Sequence, residues 1–498
     1  AAAAILHSLR IPHPLTAHHT MRTPRLVALT LIAVAACSKP APAPDPQFVA
    51  QWMRSSLSFV RSERLGPPVA SRISAYAGVA LYEGYAADAA SGLTSLGGQL
   101  NGLPALPASA APVDGAIAAA EAERLVLDSL FRDGFASTRR TIDSLARAQV
   151  EARVAAGVSA PTRDASVTHG QALAAAILGW AEKDGFFEQL TKVWTPPVGR
   201  DKWVNTATPD QYVPLMISGE TDLVRPSNPN AAMELERAGE RFVFTNRPKE
   251  AKPTTLPVFN PVKPTAPFWG ELRPFVIKDG DECAPPAPPE YSEKPGSAFW
   301  KMGKEFFDSI SVLTPEKKQV ALFWADNPVA TGTPGFHWVS VANQMVSRRN
   351  LRADQAVELY ALMSMSIADA FIGCWKEKYR SNVVRPVTYL QRVFDKNYQS
   401  VFPTPPFPEY TSGHSVQSGA AVAVLERLVG DTISFIDSTQ VDVGQPPRPF
   451  ASFRAARDEV AVSRLYGGAH YLPAIVDGVT QGTCIGTRIL QLQTRQAP

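Results

Sequence analysis

From about Phe48 to Leu190 apolar residues recur three and four positions apart, the spacing that lines one face of an α-helix. The clearest runs are Ala70 to Tyr85, Ala116 to Phe131, Thr141 to Ala156 and Ser166 to Lys183. They predict half of a helical bundle with short connections. The pattern breaks over 191–300, which hold 18 of the 44 prolines. Proline at that density excludes long helices, because each one removes an N–H and clashes with the preceding turn. Trp194, Trp203 and Trp269 argue against plain disorder there, so the segment reads as ordered irregular chain wrapped over helices. Helical periodicity resumes from Ser297. The best candidates are Pro315 to Trp324, His337 to Arg348, Ala353 to Lys378, Ser415 to Val429 and Ala455 to Leu465. The predicted fold is mainly α, with an N-terminal helical half (48–190), a Pro-rich irregular wrap (191–300) and a C-terminal helical half (301–498).

The chain ahead of residue 48 follows another logic. One short apolar run, Leu26 to Ala36, is flanked by Arg22 and Arg25 and stops at Cys37, the layout of an export signal. Residues 1–20 read as upstream sequence and 21–36 as the signal, with Met21 as the start. Val34-Ala35-Ala36-Cys37 resembles a bacterial lipobox, which implies cleavage before Cys37 and acylation of that residue. Residues 37–47 then form an extended Pro/Ala tether. The expected location is the periplasmic face or outer membrane of a bacterium, held by a lipid anchor. The plainer alternative is a signal peptide with an incidental cysteine. No other segment reads as a membrane span of about 20 apolar residues.

Composition narrows the chemistry. The leader removes three of the 49 basic residues and none of the 46 acidic ones, leaving the two signs equal. Bulk charge therefore excludes nucleic acid as a partner, and any anion preference must come from a local cluster. Beyond Met21 the histidines are His169, His337, His414 and His470, and the cysteines besides Cys37 are Cys283, Cys374 and Cys484. No zinc-ligand spacing occurs. One disulfide can form among the three thiols, leaving one unpaired.

Three short stretches carry the candidate chemistry. The helix Ala353–Lys378 is apolar on one face until Lys378, and Arg385-Pro386 follows seven residues later. Alone, such a pair is ordinarily solvated. Thr411-Ser412-Gly413-His414 stands directly before an apolar helix, where unpaired N–H groups and the dipole favour an anion. Its plainer reading is a Ser N-cap beside an incidental His. Ser463-Arg464-Leu465-Tyr466-Gly467-Gly468-Ala469-His470 would end a helix at a Gly pair and turn Arg464 and His470 to one point.

In this order, Lys-x6-Arg-Pro, Ser-Gly-His and Ser-Arg-x3-Gly-x-His resemble the signature of the phosphatidic-acid-phosphatase and vanadium-haloperoxidase superfamily, over Lys378 to Asp477. The resemblance implies that family's α-helical bundle and a cradle for vanadate or phosphate. Lys378, Arg385, Ser412, Gly413 and Arg464 would hold the oxygens. His470 would be the axial ligand of vanadium with His414 assisting peroxide, and vanadate would act as a Lewis acid on peroxide for attack by halide. With phosphate, His470 would be the nucleophile and His414 the general acid. Two guanidinium forks and an ammonium are what a buried oxyanion of two or three charges requires.

Flanking residues favour the haloperoxidase branch. Trp375 stands three residues before the motif Lys, and Phe407-Pro408-Glu409-Tyr410 precedes Ser-Gly-His. By the resemblance Trp375 and Phe407 form a halide pocket, and Asp326 in Phe323-Trp324-Ala325-Asp326 pairs with Arg464. There are departures. Thr411 replaces the usual Pro, and Ala474 stands where the phosphatases carry the Asp that orients the nucleophilic His, with Asp477 three residues on. That missing Asp weakens the phosphatase reading more than the other. His337 has no role here beyond packing or a supporting contact. The first reading is thus an exported, lipid-anchored haloperoxidase taking hydrogen peroxide and halide, and the resemblance allows a homodimer. The alternatives are an acid phosphatase acting on phosphomonoesters, and a non-enzymatic surface lipoprotein that keeps the fold.

Overall fold

The structure, a computed structural model, describes residues 41–207, 259–328 and 331–496. The expected leader, the signal, the lipidated Cys37, the start of the tether and residues 208–258 of the Pro-rich wrap lie outside the described residues. Ahead of the wrap stand α1 (Gln47–Ser62), α2 (Pro67–Ala86), α3 (Gly115–Leu130), α4 (Ala136–Ala155), α5 (Ala160–Ala181) and α6 (Phe186–Thr191). Beyond it come α7 (Ala298–Ser311), α8 (Pro315–Phe323), α9 (Thr333–Arg348), α10 (Ala353–Ser381), α11 (Pro386–Val393), α12 (Gly413–Leu428), α13 (Phe453–Tyr466) and α14 (Leu472–Ile489). A short antiparallel pair, β1 (Phe435–Asp437) and β2 (Arg448–Phe450), pairs Phe435 with Phe450. The protein is a mainly α-helical bundle.

Side-chain caps set several helix starts. Asp114, Ser159, Ser297, Thr314, Ser412 and Ser452 each accept a backbone N–H from the first turn, satisfying a donor that has no partner within the helix. One apolar core runs from Phe48 on α1 to Ile489 on α14. Its axis is α10, which packs on α2, α12 and α14. By length and hydropathy α10 could cross a membrane, contrary to the expectation from sequence, yet the protein buries it on all sides. It is a core helix.

The described part of the irregular wrap is fastened to α10 by polar contacts. The Asp369 carboxylate accepts the consecutive N–H groups of Phe275, Val276 and Ile277 at 2.7, 2.9 and 3.1 Å. The Thr265 carbonyl accepts from Trp375 Nε1 at 3.0 Å and from the Tyr379 hydroxyl at 2.8 Å. A Cβ on Gly270 would stand 2.4 Å from the Lys376 backbone, so only glycine allows that approach. A disulfide joins Cys283 in the wrap to Cys484 on α14, and Cys374 is buried and free.

Candidate functional site

The three motif stretches meet at the N-terminus of α12. Lys378, in the last turns of α10, is completely buried. Its ammonium donates to the carbonyls of Pro408 and Glu409, both at 3.0 Å, and to that of Thr411. Lys378 thereby shapes the segment leading into Ser412. Burial pushes the amine down to about 7, and Arg385 adds to the fall. Arg385, the residue before α11, is also fully buried. Its Nε donates to the Phe407 carbonyl at 2.9 Å, and its Nη1 to the Ala469 carbonyl at 2.9 Å and to His470 Nε2 at 3.1 Å.

Arg464 and His470 come together as their spacing predicts. The helix α13 stops at Gly467 and Gly468, with Gly468 at φ +84°. A Cβ there would stand 2.4 Å from the Tyr398 hydroxyl. The N–H groups of Ala469 and His470 both return to the Arg464 carbonyl, folding His470 back beside the end of α13. Arg464 Nη1 donates to the Trp324 carbonyl at 2.8 Å, and its guanidinium lies 4.3 Å from the Phe402 ring.

A cavity of ≈ 50 Å³ opens here, walled by Arg464, His470, His414, Gly413, Asp326 and Trp375, with prolines and Phe407 around them. Both imidazoles face this one space. Ser412 caps α12, its hydroxyl accepting from Ser415 N–H at 3.4 Å, so the plainer reading of that Ser holds, and it is Gly413 and His414 of this turn that line the cavity. The Trp375 and Phe407 rings stand 5.0 Å apart.

Three carboxylates order the histidines. His470 Nδ1 lies 3.0 Å from Glu409 Oε1, which also accepts the Tyr471 N–H at 2.9 Å. The proton is thus on Nδ1, and Nε2, facing Arg385, keeps its lone pair. Burial, then Arg385 and Lys378, hold the His470 ring well below the usual histidine range, so it is neutral. Glu409 supplies the orienting carboxylate that Ala474 cannot. Asp477 instead accepts from the Tyr410 hydroxyl at 2.9 Å. Asp326 bonds His337 Nδ1 at 2.8 Å through Oδ1, and its Oδ2 faces His414 Nε2 at 3.5 Å. Asp326 Oδ1 also accepts from Gln440 Nε2 at 2.8 Å, and Arg464 meets the same segment through the Trp324 carbonyl. His337 Nε2 lies 2.8 Å from Asp437 Oδ2 on β1, and its ring stacks on Trp324 at 4.4 Å. Burial alone would lower His337, but Asp326 and Asp437 overcome it and lift the ring to about 10.

Sequence reading passed over three of these residues. Glu409 carried a signal, an acid in an otherwise apolar, Pro-rich run directly ahead of Ser-Gly-His. Gln417, a lone amide on an apolar helix four residues after Gly413, carried a weaker one. Asp437 carried none, since only the β1–β2 pair brings it to His337.

The donor set fits a tetrahedral oxyanion. Lys378, Arg385 and Arg464 are buried around His470, whose ring all three depress, and guanidinium and ammonium donors of this kind suit such an anion. His414 Nε2 and Asp326 Oδ2, both in residues lining the cavity, face each other at 3.5 Å and make no other hydrogen bond. Burial, then Arg464, presses the His414 ring down to about 4, a shift that an anion beside it would reverse. Among the described residues no group of three or more His, Cys, Asp and Glu could cage a metal ion. One imidazole lone pair on His470, with Arg464 in the wall and Arg385 against the ring, is what the site offers.

This is a helical bundle that brings two imidazoles and the Arg464 guanidinium to one cavity and sets Arg385 against His470. The chain belongs to the vanadium-dependent haloperoxidase family. It shares 33% identity with a solved structure described as the first bacterial vanadium-dependent iodoperoxidase, with a TM-score of 0.73, covering 92% of this chain and 99% of the other. The family model for the second helical-bundle domain of VCPO matches residues 358–497. A holo-type bacterial vanadium-dependent chloroperoxidase shares the fold at 17% identity and TM-score 0.58, covering 90% of this chain and 97% of the other. An apo-type one does so at 15% and 0.60, covering 88% and 96%. No curated protein matches the chain.

Proposed function

We propose that the chain is a vanadium-dependent haloperoxidase that oxidises halide with hydrogen peroxide. The observation that carries this reading is His470: buried, neutral, fixed by Glu409 through Nδ1 and presenting Nε2 beside Arg385. That is the state a ring needs to hold vanadium through its lone pair. Arg385, Arg464 and the N–H groups at Gly413 would hold the vanadate oxygens, and Lys378 would contribute charge from behind the Pro408–Thr411 segment. Bound vanadate supplies Lewis acidity toward peroxide. His414, neutral and beside Asp326, is placed to take a proton from peroxide and return one to the leaving oxygen. Iodide is the halide to test first, since the 33% identical structure is described as an iodoperoxidase.

Export of the chain is part of the proposal. The Cys283–Cys484 disulfide supports it, because such bonds persist in oxidising compartments, and Cys37 would carry the lipid.

A second reading is a phosphatase. What favours it is Glu409, which gives His470 the orienting carboxylate whose absence counted against it in sequence. The test is one set of assays on the mature chain. Halide oxidation that requires added orthovanadate and is abolished in His470→Ala supports the haloperoxidase. Hydrolysis of p-nitrophenyl phosphate without vanadate, inhibited by vanadate, supports the phosphatase and contradicts the first reading if halide oxidation is absent.

A further inference from the structure

The family resemblance places the halide between Trp375 and Phe407, yet neither ring has a hydrogen to offer it. The Trp375 indole N–H donates to the Thr265 carbonyl, and Phe407 has no polar side-chain atom. An anion brought into such a pocket loses its hydration and needs a donor in return.

One amide in the cavity wall has both of its polar atoms unengaged. Gln417, one turn after Gly413 on α12, lines the same cavity and is completely buried. Neither its amide oxygen nor its amide nitrogen has a hydrogen-bond partner within the protein. A buried amide unmatched at both ends is costly, and Leu or Met would fill similar volume without that cost. The geometry shows what surrounds the amide. A Cβ built on Gly413 meets only two atoms within 4 Å, the Trp375 ring at 3.7 Å and Gln417 Nε2 at 4.0 Å. The side chain that Gly413 lacks thus leaves a gap with an aromatic wall on one side and an amide N–H on the other. A gap with a single neutral donor suits a large, weakly hydrated monoanion better than a phosphate or vanadate oxygen, which demands several charged donors.

We propose that Gln417 is the halide-binding residue, its amide N–H donating to a halide ion seated over Gly413 against the Trp375 ring. The assignment rests on the haloperoxidase reading and adds the contact that sets halide affinity.

The experiment uses the mature chain, loaded with orthovanadate, and Gln417→Leu. Losing one hydrogen bond to a charged ligand should raise the KM for iodide about tenfold or more. The KM for peroxide and the affinity for vanadate should stay within about twofold. The Tm should not fall, because Leu removes two unmatched groups. Gln417→Glu, which sets a carboxylate at the gap, should raise the iodide KM further. Vanadate-free crystals soaked in potassium iodide should show an anomalous iodine peak over Gly413 in the wild type and lose it in Gln417→Leu. An unchanged iodide KM, or a rise confined to the peroxide KM, overturns the assignment while leaving the haloperoxidase reading intact. If the wild type oxidises no halide at all, that reading fails, and the iodine peak, present or lacking, still decides whether Gln417 holds a halide ion.

Discussion

The ring of His470 has its two nitrogens assigned before any ligand arrives, one to Glu409 and one toward Arg385. An orienting carboxylate of this kind commonly contributes 10–100-fold to affinity or activity. Glu409→Gln keeps the volume and removes the carboxyl group. It should weaken vanadate affinity by about one to two orders of magnitude with the fold intact by circular dichroism; unchanged affinity would show that His470 needs no such partner. His337 makes a different prediction. Its folded value of about 10 lies above the ordinary 6.5, so the stabilisation from its imidazolium is complete below pH 6.5 and is lost as pH rises toward 10. Urea unfolding should show stability falling across that window. His337→Ala should remove that component of the slope and destabilise the protein at pH 7 by about 3–5 kcal/mol, since Asp326 and Asp437 are left buried without the cation between them. A wild-type profile no steeper than that of the variant would contradict the ion triad. The motif residues were legible in sequence because their spacing is fixed by a helix end and a Gly turn. Asp437 was not, because a carboxylate 100 residues from its histidine leaves no local trace.

The elements that hold the site are of two kinds. The helix α10 announces itself by apolar periodicity, and its observed span, Ala353–Ser381, extends the run read from sequence by less than one turn. The helix α14 does not, because Gly and Thr interrupt its apolar face, so no segment was assigned to it. Those glycines are why it packs so closely. A Cβ on Gly482 would stand 1.8 Å from the Val416 carbonyl oxygen of α12, and one on Gly478 2.9 Å from the Ser415 Cβ. The N-terminus of α12, with Gly413 and His414, is therefore positioned by α14 from behind. Gly482→Val should force the two helices apart, with a cost of about 1–3 kcal/mol or more for overpacking. The loss should appear as a lower Tm and weaker vanadate affinity together. A variant with wild-type Tm would show that the helices do not meet in this way. The eight-residue helix α11 escaped the periodicity reading for a different reason, too few turns to repeat a pattern.

At the scale of the whole molecule, the helices before and after the Pro-rich segment share one core, with α2 and α10 in direct contact. Proline density is a backbone property that packing does not override, so composition alone sets the expectation of irregular chain between the helical halves. It could not show how the wrap is held. That depends on Asp369 receiving three successive N–H groups and on a disulfide spanning 201 residues, contacts that exist only once the bundle has formed. The arrangement brings Arg464 and two imidazoles to one small cavity, and the account stands on that cavity receiving a tetrahedral oxyanion at His470. The most direct measurement is the crystal structure of the mature protein soaked in orthovanadate, with vanadium located by its anomalous scattering. The account predicts vanadium bonded to His470 Nε2, with its oxygens on Arg385, Arg464 and the N–H groups at Gly413. Vanadium bound elsewhere on the protein, or absent from this cavity at saturating vanadate, would contradict it.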